Sequence, residues 1–155
     1  MTIYNESYGI FEIGRVVKGL KADGTANEKR SLGIVLFDKK STEKDLYFKA
    51  LNLVNTLILA IKHKAPVFNK TAITHAYEHP KNTAEILIDG NKVGIVNTLH
   101  PSVASKLDKT GKAVCVEIDI DDLINVSNDN ISFMEPSTQQ STYYDLSLDI
   151  SCGAK

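Results

Sequence analysis

Ala84-Glu85-Ile86-Leu87-Ile88-Asp89-Gly90-Asn91-Lys92-Val93-Gly94-Ile95-Val96-Asn97-Thr98 is the stretch on which the reading of the fold turns. Two β-rich runs, 84–88 and 92–98, flank an Asp-Gly pair, and Asp-Gly accommodates the positive φ of a tight hairpin turn. Just beyond, Pro101 falls where a helix can begin without giving up a hydrogen bond, and that helix is expected to reach about Leu107 and end before Gly111. Ala113 to Ile120 then alternates as a strand, and Asp121-Asp122 opens a short helix or turn. A hairpin, a short helix and a returning strand in this order point to antiparallel pairing.

Upstream, apolar residues at 46, 50, 53, 54, 57, 58 and 61 keep helical spacing behind a Ser41-Thr42 cap, with Glu43 and Asp45 in the first turn. Lys62, His63 and Lys64 close this helix and Pro66 stops it. Leu53, Val54, Leu57, Ile58 and Ile61 are expected to face a sheet that includes Phe11 to Val17 and Ala113 to Ile120. Ile10 to Val17 reads as a strand, Lys18 to Arg30 as a polar hairpin loop, Leu32 to Phe37 as the returning strand, and Val67 to Ile73 as a further short strand. Hairpin-linked strands with helices laid on one face give an α+β architecture around a mostly antiparallel sheet; a doubly wound parallel sheet would need strict alternation. The predicted organisation is one domain over 1–126, a Ser/Asn/Gln-rich linker over 127–142 and a strand-like segment over 143–155.

Composition narrows the function. With 43% hydrophobic and 24% charged residues the chain reads as globular, and a net charge of -1 supplies no global field toward nucleic acid or an anionic membrane. The longest apolar run, within Leu51 to Ile61, is too short and too polar to span a bilayer, and the N-terminus has no secretion pattern. Cys115 and Cys152 follow no framework spacing, which suggests reduced thiols and a cytoplasmic location.

Three patterns invite a chemical reading. His75-Ala76-Tyr77-Glu78-His79 spells the inverted zinc-protease string, whose chemistry needs both imidazoles on one helix face. Pro80 biases His79 away from helical dihedrals, so the string is read as a turn in which Ile73, Ala76 and Tyr77 pack and the histidines cap. Glu117, Asp119 and Asp121 alternate with apolar residues; clustered carboxylates can hold Mg²⁺, but a solvated strand face gives the same alternation and is the reading adopted here. His100 before Pro101 is read as shaping the turn into the helix rather than as a base.

Several short segments recur together in one known family. Phe11-Glu12-Ile13-Gly14-Arg15-Val16, His79-Pro80 leading into Ala84-Glu85-Ile86, Leu99-His100-Pro101, and Glu117-Ile118-Asp119-Ile120-Asp121 stand in an order that resembles the catalytic-like domain of the bacterial phenylalanyl-tRNA synthetase β subunit. The residues carrying the likeness are Phe11, Glu12, Gly14, His79, Pro80, Glu85, His100, Pro101, Glu117 and Asp119. The resemblance implies a class II aminoacyl-tRNA synthetase-like sheet that has lost its active site. Active class II domains use arginines for ATP phosphates, whereas this chain has Arg15 and no arginine after Arg30, and places acidic groups where phosphates would bind. It further implies no catalytic, metal or cofactor residues here, with ATP and Mg²⁺ handled by the partner α subunit in an (αβ)₂ ligase that also contacts tRNA. On the same basis 143–155 resembles the first strand of a truncated anticodon-binding domain, although Ser-Thr-Tyr-Tyr replaces the family's usual Phe-Pro and Arg, and the chain reads as part of a longer polypeptide. The main expectation is a non-catalytic scaffold in translation. The alternatives are a free-standing binding or regulatory paralogue and a metal-dependent hydrolase.

Overall fold

The computed structural model describes residues 6–129 and 144–146. Six strands and three helices follow one another as β1 (Ser7–Leu20), β2 (Ala26–Asp38), α1 (Glu43–Lys62), β3 (Val67–Lys70), β4 (Glu78–Ile88), β5 (Asn91–Leu99), α2 (Pro101–Leu107), β6 (Lys112–Asp119) and α3 (Ile120–Asn125). The strands form one antiparallel sheet in the order β1-β2-β6-β5-β4-β3, so β6 lies between the β1–β2 hairpin and the β3-β4-β5 unit. The α+β, antiparallel expectation therefore holds. Of the segment expected to be a strand over 143–155, only 144–146 are described, without regular structure; the rest of it and most of the 127–142 linker lie outside the described residues.

Local chemistry accounts for the elements. Thr42 caps α1 by accepting the Asp45 N–H at 3.1 Å, and His63 ends it in the left-handed region at φ 57°, its N–H returning to Leu59 O. Asp89 and Gly90 both take positive φ, 51° and 78°, and turn β4 into β5. The β1–β2 loop is much shorter than the polar composition of Lys18–Arg30 suggests. The strands run on to Leu20 and from Ala26, because Asp23 accepts the Thr25 N–H and hydroxyl and Gly24 turns at φ 80°.

One face of the sheet is covered. Leu46, Ala50, Val54, Ile58 and Lys62 form the buried stripe of α1, against Ile34, Val96, Val116 and Ile118 from the strands. Leu53 and Ile61, expected in the core, are 40% and 47% exposed, because a helix lying flat on a sheet buries a narrow i, i+4 stripe and these two sit outside it. α1 packs chiefly on β6, β5 and β2, and Phe11, Ile13 and Val17 of β1 stay largely exposed, contrary to the expectation that β1 forms part of the core. At the far end of α1, Lys62 is buried and its ammonium donates to the carbonyls of Ile124 (3.1 Å) and Val126 (2.7 Å), fastening the end of α3. Among the described residues no helix is long and apolar enough to cross a membrane.

Candidate functional site on the open face of the sheet

The other face carries no helix, and strand register dictates what stands on it. Val96 and Val116 point into the core, so their neighbours Ile95, Asn97, Cys115 and Glu117 point the opposite way. Cross-strand pairing then aligns Glu12, Gly33, Glu117 and Ile95 in one row, and Ile10, Val35, Cys115 and Asn97 in the next. Over these rows lies a cleft of about 450 Å³. A second cleft of about 380 Å³ adjoins it, and Tyr77, Ile95 and Glu117 line both.

The floor of the first cleft is bare where Gly33 sits: a Cβ built there meets nothing within 4 Å. Gly94 is the opposite case, since its Cβ would collide with the Glu117 carbonyl oxygen of the neighbouring strand. Asn97 is 2% exposed, and its Nδ2 is buried with no hydrogen-bond partner. Burial pushes the Cys115 thiol up, which keeps it protonated, and raises the Tyr77 hydroxyl as well, with the Glu78 charge adding to the effect.

The acidic run at the end of β6, read from the sequence as a solvated strand face, is neutralised by cations from β1 and β2. Lys18 pairs with Glu117; Lys29 Nζ lies 2.9 Å from Asp119 and 2.8 Å from Asp122; Arg30 binds Asp121 through its guanidinium and its backbone N–H. Asp121 is not a strand residue at all. It stands in the first turn of α3, which Asp119 caps by accepting the Asp122 N–H. Burial pushes the Asp119 carboxyl up, but the Asp122 N–H and the Lys29 ammonium outweigh it and hold the carboxyl below its usual value. The Arg30 N–H and guanidinium do the same for Asp121.

The His75–His79 string is a turn entering β4, not a helix. Its buried member is Glu78, 1% exposed, which accepts the Thr74 N–H at 2.7 Å and lies 3.0 Å from both Thr74 Oγ1 and His75 Nδ1. Burial alone would raise this carboxyl; the Thr74 N–H and His75 bring it down. His75 is exposed and stacks on Tyr77, Tyr77 is half-buried, and Ile73 and Ala76 are exposed rather than packed, because the chain passes over the sheet margin here. Among the described residues no group of three or more His, Cys, Asp or Glu side chains is placed to hold a metal ion.

Of the ten motif residues, the open face gathers Glu12, Gly14, Glu85, Glu117 and Asp119. Phe11 projects from the opposite face and is 76% exposed. His79 accepts the Lys81 N–H beside exposed Pro80, Glu85 is half-buried 4.0 Å from Lys92, and His100 caps α2 by accepting the Ser102 N–H ahead of Pro101. Sequence reasoning read Tyr77 only as a packing residue of the turn, and passed over Lys18, Gly33 and Asn97 as site residues. Only the last carried a signal, a polar residue that follows directly on the run Val93-Gly94-Ile95-Val96.

Comparison with known proteins places this geometry in context. Residues 4–120 match the model of the phenylalanyl tRNA synthetase beta chain CLM domain. Among curated proteins the chain is similar to phenylalanine–tRNA ligase beta subunits: 26% identical over 147 residues to that of Syntrophus aciditrophicus, covering 91% of this chain and 18% of the relative. It is 30% identical over 116 residues to that of Dickeya dadantii, covering 70% and 15%, and 27% identical over 125 residues to that of Shewanella oneidensis, covering 76% and 16%. The chain spans less than a fifth of the length of these relatives.

Proposed function

Because the chain belongs to the family of the phenylalanyl-tRNA synthetase beta chain CLM domain, we propose that it is a non-catalytic structural domain of a phenylalanine–tRNA ligase β subunit. In this reading the fold is a class II synthetase-like sheet without the chemistry, and the domain acts in cytoplasmic translation by supporting assembly with a catalytic α subunit. ATP and Mg²⁺ are used by that α subunit, and the whole (αβ)₂ enzyme contacts tRNA.

The observation that carries the proposal is the charge arrangement of the open face. Adenylate formation needs free cations against a triphosphate. Here Lys18, Lys29 and Arg30 are each committed to a carboxylate, Arg15 lies 3.5 Å from Glu28, and no arginine follows Arg30. The exposed apolar side chains of β1 support the assembly part, since contiguous exposed apolar surface marks contact with a neighbour. Phenylalanine-dependent ATP–pyrophosphate exchange, run on this chain alone, is the test. No exchange above background is expected, and robust exchange refutes the reading. Co-purification with a phenylalanine–tRNA ligase α subunit tests the assembly role separately.

A further inference from the structure

We propose that residues 72–76 form a strap along the margin of the smaller cleft, fastened by Glu78 alone, and that the strap swings open as one unit while the sheet stays folded. The strap is a device of the fold; it goes beyond the scaffold reading and does not rest on it.

The strap begins where the sheet stops holding the chain. β3 pairs with β4 only as far as Lys70 and Ala84, and the β4–β5 ladder is interrupted between Glu78 and Thr83. Both ends of the intervening segment are anchored. The Thr71 N–H donates to Thr83 O at 3.3 Å, and Tyr77 O accepts the His100 N–H at 2.7 Å. Between these anchors residues 72–76 are all exposed, and none belongs to a helix or strand. Ile73, the one large apolar side chain among them, is 44% exposed, so apolar burial does little to hold the segment down.

Polar contacts hold it instead, and they converge on one residue. Among the described residues, every hydrogen bond from 72–76 to the rest of the chain ends on Glu78. Its carboxylate accepts the Thr74 N–H at 2.7 Å and the Thr74 hydroxyl at 3.0 Å, and lies 3.0 Å from His75 Nδ1. Its own N–H donates to His75 O at 3.1 Å. Glu78 is 1% exposed, and a buried carboxylate stripped of its partners is left with a large desolvation cost. Partial release is therefore unfavourable. Either the strap supplies the partners, or it leaves far enough for water to supply them, which makes two states rather than a continuum. Thr74, His75, Tyr77 and Glu78 line one side of the 380 Å³ cleft, so the open state widens that cleft and uncovers the carboxylate.

Amide hydrogen exchange near pH 7, followed residue by residue by NMR on the full chain, tests the strap. The Thr74 amide should be protected although its residue is exposed, because its N–H is held by a buried carboxylate. Glu78→Met keeps the length of the side chain and removes both acceptor oxygens. It should speed Thr74 exchange roughly tenfold or more, the factor that a hydrogen bond to a charged group sustains, and leave the Val96 and Val116 amides of the central sheet unchanged. If Glu78→Met fails to fold, Thr74→Val at its exposed position serves instead, and should speed exchange at residue 74 about threefold or more. A Thr74 amide that exchanges at the free-chain rate in the parent overturns the proposal. So does a rate at residue 74 that neither variant changes, or a loss of protection that spreads to Val96 and Val116.

Discussion

Gly33 and Gly94 sit in the same sheet, yet the same added methyl group should act on them in opposite directions. At Gly94 a Cβ would lie 3.1 Å from both Ile118 Cα and Ile86 Cδ1 and closer still to the Glu117 carbonyl oxygen. Two of these three neighbours belong to the β6 backbone, which is held by β2 on its far side and cannot retreat without breaking the ladder. Overpacking of this kind costs ~1–3 kcal/mol, and relief of glycine's unfolded-state entropy returns ~0.5–1 kcal/mol. Gly94→Ala should therefore destabilise by about 1–2 kcal/mol, or more if strands β5 and β6 part. At Gly33 nothing lies within 4 Å of the added atom, so only the entropic term acts, and Gly33→Ala should stabilise by ~0.4–1 kcal/mol. Urea unfolding separates the two cases. With a slope of ~1–3 kcal/mol per molar, the midpoint should fall by roughly 1 M for Gly94→Ala and rise slightly for Gly33→Ala. Equal shifts, or a Gly94→Ala variant as stable as the parent, would show that the close approach of β5 to β6 is not what fixes this glycine.

The core stripe of α1 gives a second pair: Ile58→Ala, at a fully buried site, should cost ~2–5 kcal/mol, whereas Leu53→Ala, 40% exposed, should cost under ~1 kcal/mol by the same urea assay. Removing the α1 cap with Thr42→Ala should cost ~0.5–2 kcal/mol, read as loss of thermal stability with unchanged secondary structure at low temperature. Acid should weaken the fold through carboxylates whose folded-state values are depressed: N–H groups of Ser41 and Lys40 hold Asp38 at about 2, and the contacts at Asp119 and Asp121 also lower theirs. A depressed value means the contribution is complete above the unfolded carboxyl range near about 4 and is lost as pH falls through the folded value. Melting temperature should therefore hold between pH 5 and pH 7 as far as these groups decide it, and drop between pH 4 and pH 2; a rise over that lower window would contradict the contacts. Elemental analysis of protein purified without metal-affinity steps should find far less than one equivalent of zinc, because the His75–His79 string is a turn; a tight equivalent lost in His79→Ala would reverse that view.

The sequence made the local devices visible. Asp89-Gly90, Thr42, Pro66 and Pro101 each impose a conformation through their own chemistry, and the turns, caps and helix limits follow them closely. What could not be read was anything decided by strand order. Leu53 and Val54 are equally apolar, and only the flat seating of α1 on β2, β6 and β5 exposes the first and buries the second. Lys18 and Glu117 are 99 positions apart in sequence, so the neutralised acidic strand becomes visible only once β6 lies beside β2 and the β1–β2 hairpin folds over. The polar loop over 18–30 misled for a related reason: its cations read as solvent-loving, but Lys18, Lys29 and Arg30 pair with carboxylates that arrive from the far end of the domain.

That arrival has a temporal side. β6 is the last strand in the described sequence and the one on which both halves of the sheet depend, since β2 pairs on one side of it and β5 on the other. During synthesis the β1–β2 hairpin and the β3-β4-β5 unit emerge first and have no edge in common until residues 112–119 leave the ribosome. The long closures that join them are entropically slow and must precede the contacts that reward them. The domain is thus built like an arch whose central stone is laid last, and a ribosome paused before Lys112 would hold two strand units with no ladder between them, each showing an open edge to chaperones.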